Sequence, residues 1–269
     1  MIKFDKTEVI GWEAAIRGMR NPMNSWDRSD SGLTCPHGEY KMGYERCSSC
    51  IKDNCNDKPY FVIGQNDFKL MMDLAKAGPT HAKYRRMIIV YVDITAPLYW
   101  WKEFDTYKVG TVTNSCSTMH KIHDKEFTLD DFSYEHLFNE YPEFFKDYLE
   151  DTIDGLNYAR NLYLETEDKK YWWQMIQLLP STYNQRRTVM INYEVLNNIY
   201  HTRRYHKLDE WRIFCKWIET LPYSSIITLE EKVSNDDCPG PEYEKVYDKW
   251  VLKKDHSNYE NAVFNCECD

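Results

Sequence analysis

The sequence predicts a mixed α/β (α+β) fold in which strands are followed by a helix-rich C-terminal half. An apolar, β-branched run at Met87–Thr95 indicates a strand, and several longer segments place apolar residues at helical spacing. With 269 residues the chain can bury a sizeable core, as one domain with or without a small module. Alternation of the two element types favours the mixed class.

The first half of the chain contains three predicted elements. A helix is predicted over Asn66–Ala77, where apolar residues recur at helical spacing before a Gly-Pro pair. We interpret Met87–Thr95, which only Asp93 interrupts, as a buried strand. Pro97 suits the first turn of a helix that runs from Leu98 to about Lys108.

The second half is predicted to be mainly helical. Pro142–Leu178 indicates one or two helices with an interruption near Glu165–Lys170, where charged residues cluster. Helices are also predicted over Thr188–Arg203 and about Lys207–Thr220, which a proline follows. From Tyr223 the chain is polar and irregular. We therefore expect a main domain at residues 1–222 and a C-terminal extension at 223–269.

A cysteine-rich segment indicates a small insertion at about residues 33–59. It contains four cysteines among Gly, Ser, Asn and Asp: Cys35, Cys47, Cys50 and Cys55. A Cys-x-x-Cys pair offers two thiolates to one ion, so these residues predict a structural zinc site, with His37 as a substitute ligand. An iron–sulfur cluster or free thiols are the alternatives. Cys266 and Cys268 are expected to be free.

Charge and composition restrict the partners. The net charge of −9 repels nucleic-acid backbones, whereas a small anionic ligand needs only a few local cations. The N-terminus has no apolar signal region, and no apolar run is long enough to span a bilayer. We therefore expect a cytoplasmic protein with reduced thiols, without membrane or nucleic-acid partners. The 15% aromatic content indicates a dense core or stacking surfaces for planar ligands.

Three segments of the sequence, taken together and in this order, carry a resemblance to one known family. The first, Gly78–His120, holds His81, the predicted strand, an Ala-Pro step, a helix, and then the stretches Thr106–Lys108 and Thr111–His120. The second is a Leu-Pro step, and the third is Asn192–Arg203. Together they cover about half of the chain and resemble the flavin-dependent thymidylate synthase (thymidylate synthase complementing protein) family.

The resemblance implies the fold of that family and a homotetramer whose sites bind FAD and a nucleotide between subunits. It implies substrate-positioning, catalytic roles for Arg203 and Ser117. Cofactor-binding roles are implied for His81, Lys108, Asn114, Ser115, Asn192 and Asn198. These residues also have plain structural interpretations. The polar run Asn114, Ser115, Ser117 and Thr118 could cap a helix, and Arg203 could pair with a carboxylate. A nucleophilic Cys116 working with His120 is a further alternative.

Several charged positions of the family differ here. The family's Arg-His-Arg stretch is matched by Thr106–Lys108, its signature Arg by Met119, and its signature Glu by Ser115. Ile176 or a neighbour replaces an Arg before the Leu-Pro step, and Glu194 replaces the first Arg of the last helix. Phosphates favour bidentate arginines.

These replacements favour a changed substrate over deoxyuridylate. We predict a divergent protein that binds FAD and a nucleotide-like substrate and transfers a one-carbon unit to a pyrimidine. The alternative is a non-catalytic binding or scaffold protein with a zinc-stapled loop.

Overall fold

An antiparallel four-stranded sheet forms the centre of the chain. The computed structural model describes residues 2–34, 60–137 and 142–229, together with two short strands further on. The strands are β1 (Lys3–Ile10), β2 (Gly32–Thr34), β3 (Tyr60–Val62), β4 (Ile89–Pro97), β5 (Thr111–Ser115), β6 (Asn184–Asn192), β7 (Tyr243–Val246) and β8 (Lys249–Leu252). The main sheet has the order β1-β4-β6-β5; β2 pairs with β3, and β7 pairs with β8.

Helices from both halves of the chain pack against one face of this sheet. The helices are α1 (Trp12–Arg20), α2 (Gln65–Lys76), α3 (Leu98–Phe104), α4 (Pro142–Thr166), α5 (Lys169–Leu178), α6 (Tyr193–Arg203), α7 (Asp209–Glu219) and α8 (Ser225–Thr228). The main core lies between the sheet and α1, α2, α3, α6, α7 and α8, and α4 and α5 enclose a second cluster. The predicted mixed class with a helix-rich second half is confirmed.

Within the described part of the chain, one face of the sheet is buried and the other is open. Alternate residues of β4 point into the core: Val90, Val92, Ile94 and Ala96. Asp93 lies on the other face, where it accepts hydrogen bonds from Thr188 (2.6 Å) and Arg186 (2.7 Å). These two bonds hold the pKa of the Asp93 carboxyl below its usual range. The prediction of a fully buried strand is therefore wrong on this face, as is common for antiparallel sheets.

The predicted helix over Thr188–Arg203 is wrong in its first five residues. Thr188–Asn192 belongs to β6, which pairs with β4 on one side and β5 on the other. Buried Val189 and Ile191 alternate with outward residues, which is the period of a strand. The helix begins only at Tyr193, so Asn192 lies before its first turn.

Two further predictions about the segment between β4 and β5 need correction. The helix expected to reach about Lys108 ends at Phe104, because the chain turns to enter β5. The polar residues Asn114 and Ser115, for which helix capping was one interpretation, instead end strand β5, which begins at Thr111. Its β-branched Thr-Val-Thr sequence suits an edge strand.

Other helix predictions are confirmed. The segment predicted over Asn66–Ala77 corresponds to α2, and the one over Lys207–Thr220 corresponds to α7. Pro142–Leu178 forms the two helices α4 and α5, which are separated near the predicted interruption. Among the residues that the structure describes, no helix is long and apolar enough to cross a membrane.

Irregular structure was predicted from Tyr223 onward, and this is wrong for the first residues. Ile226 and Ile227 of α8 are fully buried in the main core. The buried Arg85 donates to the Ile226 carbonyl (3.1 Å) and forms an ion pair with Glu194 (2.8 Å). These contacts attach α8 to the core. The boundary at residue 222 stays a prediction, because most of residues 230–269 lie outside the described part.

A buried carboxylate fixes the segment that leads toward the cysteine-rich region. Asp67 of α2 is fully buried and bonds Arg20 Nε (2.6 Å), Ser29 Oγ (2.7 Å) and Ser31 Oγ (2.6 Å). Burial alone would raise its pKa, but the hydrogen bonds from Ser31, Ser29 and Arg20 outweigh burial and lower it. Asp67 is therefore ionised in the folded protein at neutral pH.

Candidate functional site

The loop between α3 and β5 meets the start of α6 at one end of the sheet. Asn192 lies just before α6, and its side-chain oxygen accepts a hydrogen bond from the Val195 amide (3.0 Å). Gly110 packs against this side chain with φ +80°, and an added Cβ would lie 2.5 Å from Asn192 Nδ2. Both the backbone angle and the close approach require glycine. The contact fixes the loop relative to α6.

A cavity of about 400 Å³ opens beside this loop. It is lined by Phe104, Asp105, Tyr107, Lys108, Thr111 and Thr113. The lining combines an aromatic ring, hydroxyl groups and two charged side chains of opposite sign. Cavities of this volume and mixed lining are typical of small-molecule sites.

Arg203, at the end of α6, lies behind the Tyr107 wall of this cavity. Its Nε donates to the Tyr107 hydroxyl (2.9 Å), and its Nη1 bonds Glu103 Oε2 (3.0 Å). The guanidinium lies 4.9 Å from the ring centre of Trp211, whose Nε1 donates to the same Glu103 oxygen (3.0 Å). The structural interpretation, pairing with a carboxylate, therefore holds for Arg203 in this structure.

A second arginine forms an ion pair at the cavity wall. Arg187 of β6 binds Asp105 through Nη1 (2.7 Å) and packs 4.2 Å from the ring centre of Trp101. The sequence prediction missed Arg187, because strand β6 was not predicted and Arg187 lies one residue before the predicted helix over Thr188–Arg203. It also missed Glu103, which lies in α3 100 residues before Arg203. Recognising β6 from its alternating apolar residues would have brought Arg187 next to β5.

The polar run along β5 has a structural role at its end. Asn114 and Ser115 are exposed on the edge strand, paired with Thr188 and Arg187 of β6. Ser117 accepts hydrogen bonds from the Met119 amide (3.2 Å) and the His120 amide (2.8 Å). The hydroxyl thus caps the following turn, whereas the predicted capping was that of a helix, and no helix follows Ser117 here.

His81 lies elsewhere, in a groove of about 1070 Å³ between α1, α2 and the turn at Lys83–Met87. Its lining includes apolar side chains and aromatic ones: Met19, Leu70, Leu74, Tyr84 and Met87. It also includes the cations Arg28 and Lys83, together with His81. The exposed cations and the apolar lining residues together suit a ligand that has a planar apolar part and an anionic part.

The structure brings together only some of the predicted residues. The α3–β5 loop contains Lys108 and is contacted by Asn192 and Arg203. Asn198, in contrast, is exposed on α6. Cys35, Cys47, Cys50 and Cys55 lie outside the described residues. Within residues 2–34, 60–137 and 142–229, no group of three His, Cys, Asp or Glu side chains could hold a metal ion.

Comparison with known proteins gives a structural likeness without a sequence match. No family model matches the chain, and neither does any curated protein. Two matching solved structures are of thymidylate synthase X (ThyX), a flavin-dependent thymidylate synthase, from Helicobacter pylori with FAD and dUMP. One aligns with TM-score 0.55 at 14% identity, covering 84% of this chain and 96% of its own. The other gives 0.55 at 15%, covering 86% and 100%. At this identity the likeness shows a ThyX-like fold.

Proposed function

We propose that the chain is a divergent ThyX-like protein that binds FAD and a nucleotide-like substrate and transfers a one-carbon unit to a pyrimidine. The observation that carries this proposal is the fold, which aligns over nearly the whole of ThyX chains solved with FAD and dUMP. Two cavities of suitable size support it. As the resemblance implies, we also propose a homotetramer, which measurement of molecular mass in solution would test.

The groove beside His81 has the lining that FAD needs. Leu70, Leu74 and Met87 provide apolar contacts for a planar ring system. Arg28 and Lys83 are both exposed and provide cations for a pyrophosphate. When bound, a reduced flavin supplies a hydride, and the protein supplies its position and surroundings.

The smaller cavity beside Lys108 would hold the substrate, so Lys108, for which the resemblance implies a cofactor-binding role, would here contact the substrate instead. The half-buried Tyr107 offers part of its ring to a flat ligand, and the Tyr107, Thr111 and Thr113 hydroxyls offer hydrogen bonds. Arg203 orients the Tyr107 hydroxyl through its Nε bond. Gly110 and Asn192 keep the loop in place. Ser117 lies two residues beyond β5 and caps the following turn, and its substrate-positioning role stays a prediction.

A titration of FAD against charge-reversed variants tests the groove. Lys83→Glu should weaken FAD binding by about 10-fold or more, because one charge-assisted hydrogen bond is worth about 1.5–3 kcal/mol. Lys69→Glu on α2 is the matched control, since Lys69 is exposed but does not line the groove. Equal FAD affinity in both variants would contradict this placement of the flavin.

The non-catalytic scaffold is the second candidate, and a specific observation favours it. Arg203 and Arg187, the two guanidinium groups nearest the cavity, both form ion pairs within the chain. A scaffold protein has no need to release them for a ligand. If the purified chain binds neither FAD nor a nucleoside derivative, this candidate replaces the enzyme proposal.

A further inference from the structure

We infer that the cavity beside Lys108 selects a pyrimidine nucleoside without a phosphate group, because Glu103 and Asp105 neutralise the arginines that a phosphate would require. The inference rests on the proposed function and specifies its substrate class. It depends on the charge pairing around the cavity.

Glu103 engages the first arginine. Its Oε2 accepts from Arg203 Nη1 (3.0 Å) and Trp211 Nε1 (3.0 Å), and His206 Nε2 lies 3.6 Å away. Arg203 also uses its Nε for the Tyr107 hydroxyl. Rotation of this guanidinium toward a ligand would break both bonds and its packing over Trp211. The ion pair therefore opposes use of Arg203 for a second anion.

Asp105 engages the second arginine. Arg187 is only 13% exposed, bonds the Asp105 carboxylate at 2.7 Å and donates from Nε to Gln185 Oε1 (3.0 Å). Because Asp105 itself lines the cavity, its negative charge faces an entering phosphate. Because the Asp105–Arg187 pair carries no net charge, it offers no net attraction to a dianion.

Lys108 is then the remaining cation of the cavity lining, and none of the ion pairs found among the described residues involves it. A phosphate monoester carries a charge of about −1.5 to −2 at neutral pH, so one lysine cannot balance it beside Asp105. A nucleoside needs hydrogen bonds and an apolar surface instead. The half-buried ring and the hydroxyl of Tyr107, together with the Thr113 hydroxyl, supply these.

Calorimetric titration of the full chain, with and without FAD, tests this selection with 2′-deoxyuridine and deoxyuridine monophosphate. The wild type should bind the monophosphate no more tightly than the nucleoside. The double substitution Glu103→Gln, Asp105→Asn should raise monophosphate affinity by about 10-fold or more, while nucleoside affinity changes by less than about threefold. The new binding should weaken with added salt, whereas nucleoside binding should not.

Asp93→Asn is the matched control. Asp93 pairs with Arg186 on the open face of the sheet, so this substitution also frees a guanidinium but at a distance from the cavity lining. It should leave both affinities within about threefold of wild type. Glutamine is isosteric with Glu103 and can still accept from Trp211, and unfolding curves check that each variant is folded.

The outcomes separate the inference from the proposed function. Tighter binding of the monophosphate by the wild type, or no gain in the double variant, overturns the inference but leaves a nucleotide site. Binding of neither compound by the wild type overturns the proposed substrate site and, with it, the inference. Nucleoside-selective binding that the double variant reverses supports both.

Discussion

Replacing Gly110 by alanine tests how the candidate site is built. The new Cβ would lie 2.5 Å from Asn192 Nδ2, whereas ordinary contacts begin at 3.4 Å, and the residue would keep φ +80°. The left-handed backbone costs about 1–2 kcal/mol in a non-glycine residue. Displacing Asn192 removes the α6 cap, worth about 0.5–2 kcal/mol. We expect Gly110→Ala to lower the free energy of unfolding by about 2–4 kcal/mol.

Urea denaturation followed by circular dichroism measures this change, and other glycines provide the controls. Gly78 has φ +102° but open space around a Cβ, so Gly78→Ala isolates the backbone cost of about 1–2 kcal/mol. Gly155 lies inside α4 with open space around a Cβ, so Gly155→Ala should raise the free energy of unfolding by about 0.5–1 kcal/mol.

An Asn192→Ala background separates the clash from the backbone cost. The contact with Nδ2 is then absent and only Val195 Cγ2 stays close, at 3.1 Å, so Gly110→Ala should cost clearly less than in the wild type and approach the cost of Gly78→Ala. The account of this loop is refuted if Gly110→Ala costs no more than Gly78→Ala in the wild type. An unchanged cost in the Asn192→Ala background would refute it equally.

Three further predictions follow from the same structure. Asp67→Asn should lower the free energy of unfolding by about 3–5 kcal/mol at pH 7, because it leaves Arg20 buried without its counter-charge. The difference in free energy of unfolding between wild type and variant should be complete above pH 3.8, the reference pKa of an aspartate. It should disappear as pH falls through the lower pKa that Asp67 has in the folded protein, and unfolding curves at a series of acid pH values would check this. A constant difference at all pH values would contradict this. Cys50→Ser should abolish zinc content measured by elemental analysis; equal zinc in both proteins, or none in the wild type, would refute the zinc site. The chain should not restore growth of a thymidine-requiring strain, and restored growth would contradict a changed substrate.

The sequence predicts the fold class and the amphipathic helices well, and the reason is local. Alpha-helices α2, α4, α5 and α7 bury one stripe of apolar residues, which appears directly as periodic spacing. β6 was misassigned because Thr188–Asn192 runs without a break into a true helix. Its apolar alternation at Val189 and Ile191 is short, and the non-local pairing with β4 and β5 stabilises the strand conformation.

The candidate site was less predictable, because its arrangement depends on long-range pairs. Arg203 and Lys108 were recognised from the resemblance, but Glu103, which binds Arg203, gives no local signal. The same applies to Asp105 and Arg187, which are 82 residues apart. Ion pairs between residues so far apart in sequence cannot be predicted from local patterns and are recognised only in the folded structure.

The absorption spectrum of the purified chain, recorded after incubation with FAD and removal of free FAD, tests the central claim most directly. The account predicts a yellow protein whose flavin bands persist and whose flavin content approaches one per chain. A protein that stays colourless and gives no change in FAD fluorescence would contradict flavin binding, and with it the proposed function on this ThyX-like fold.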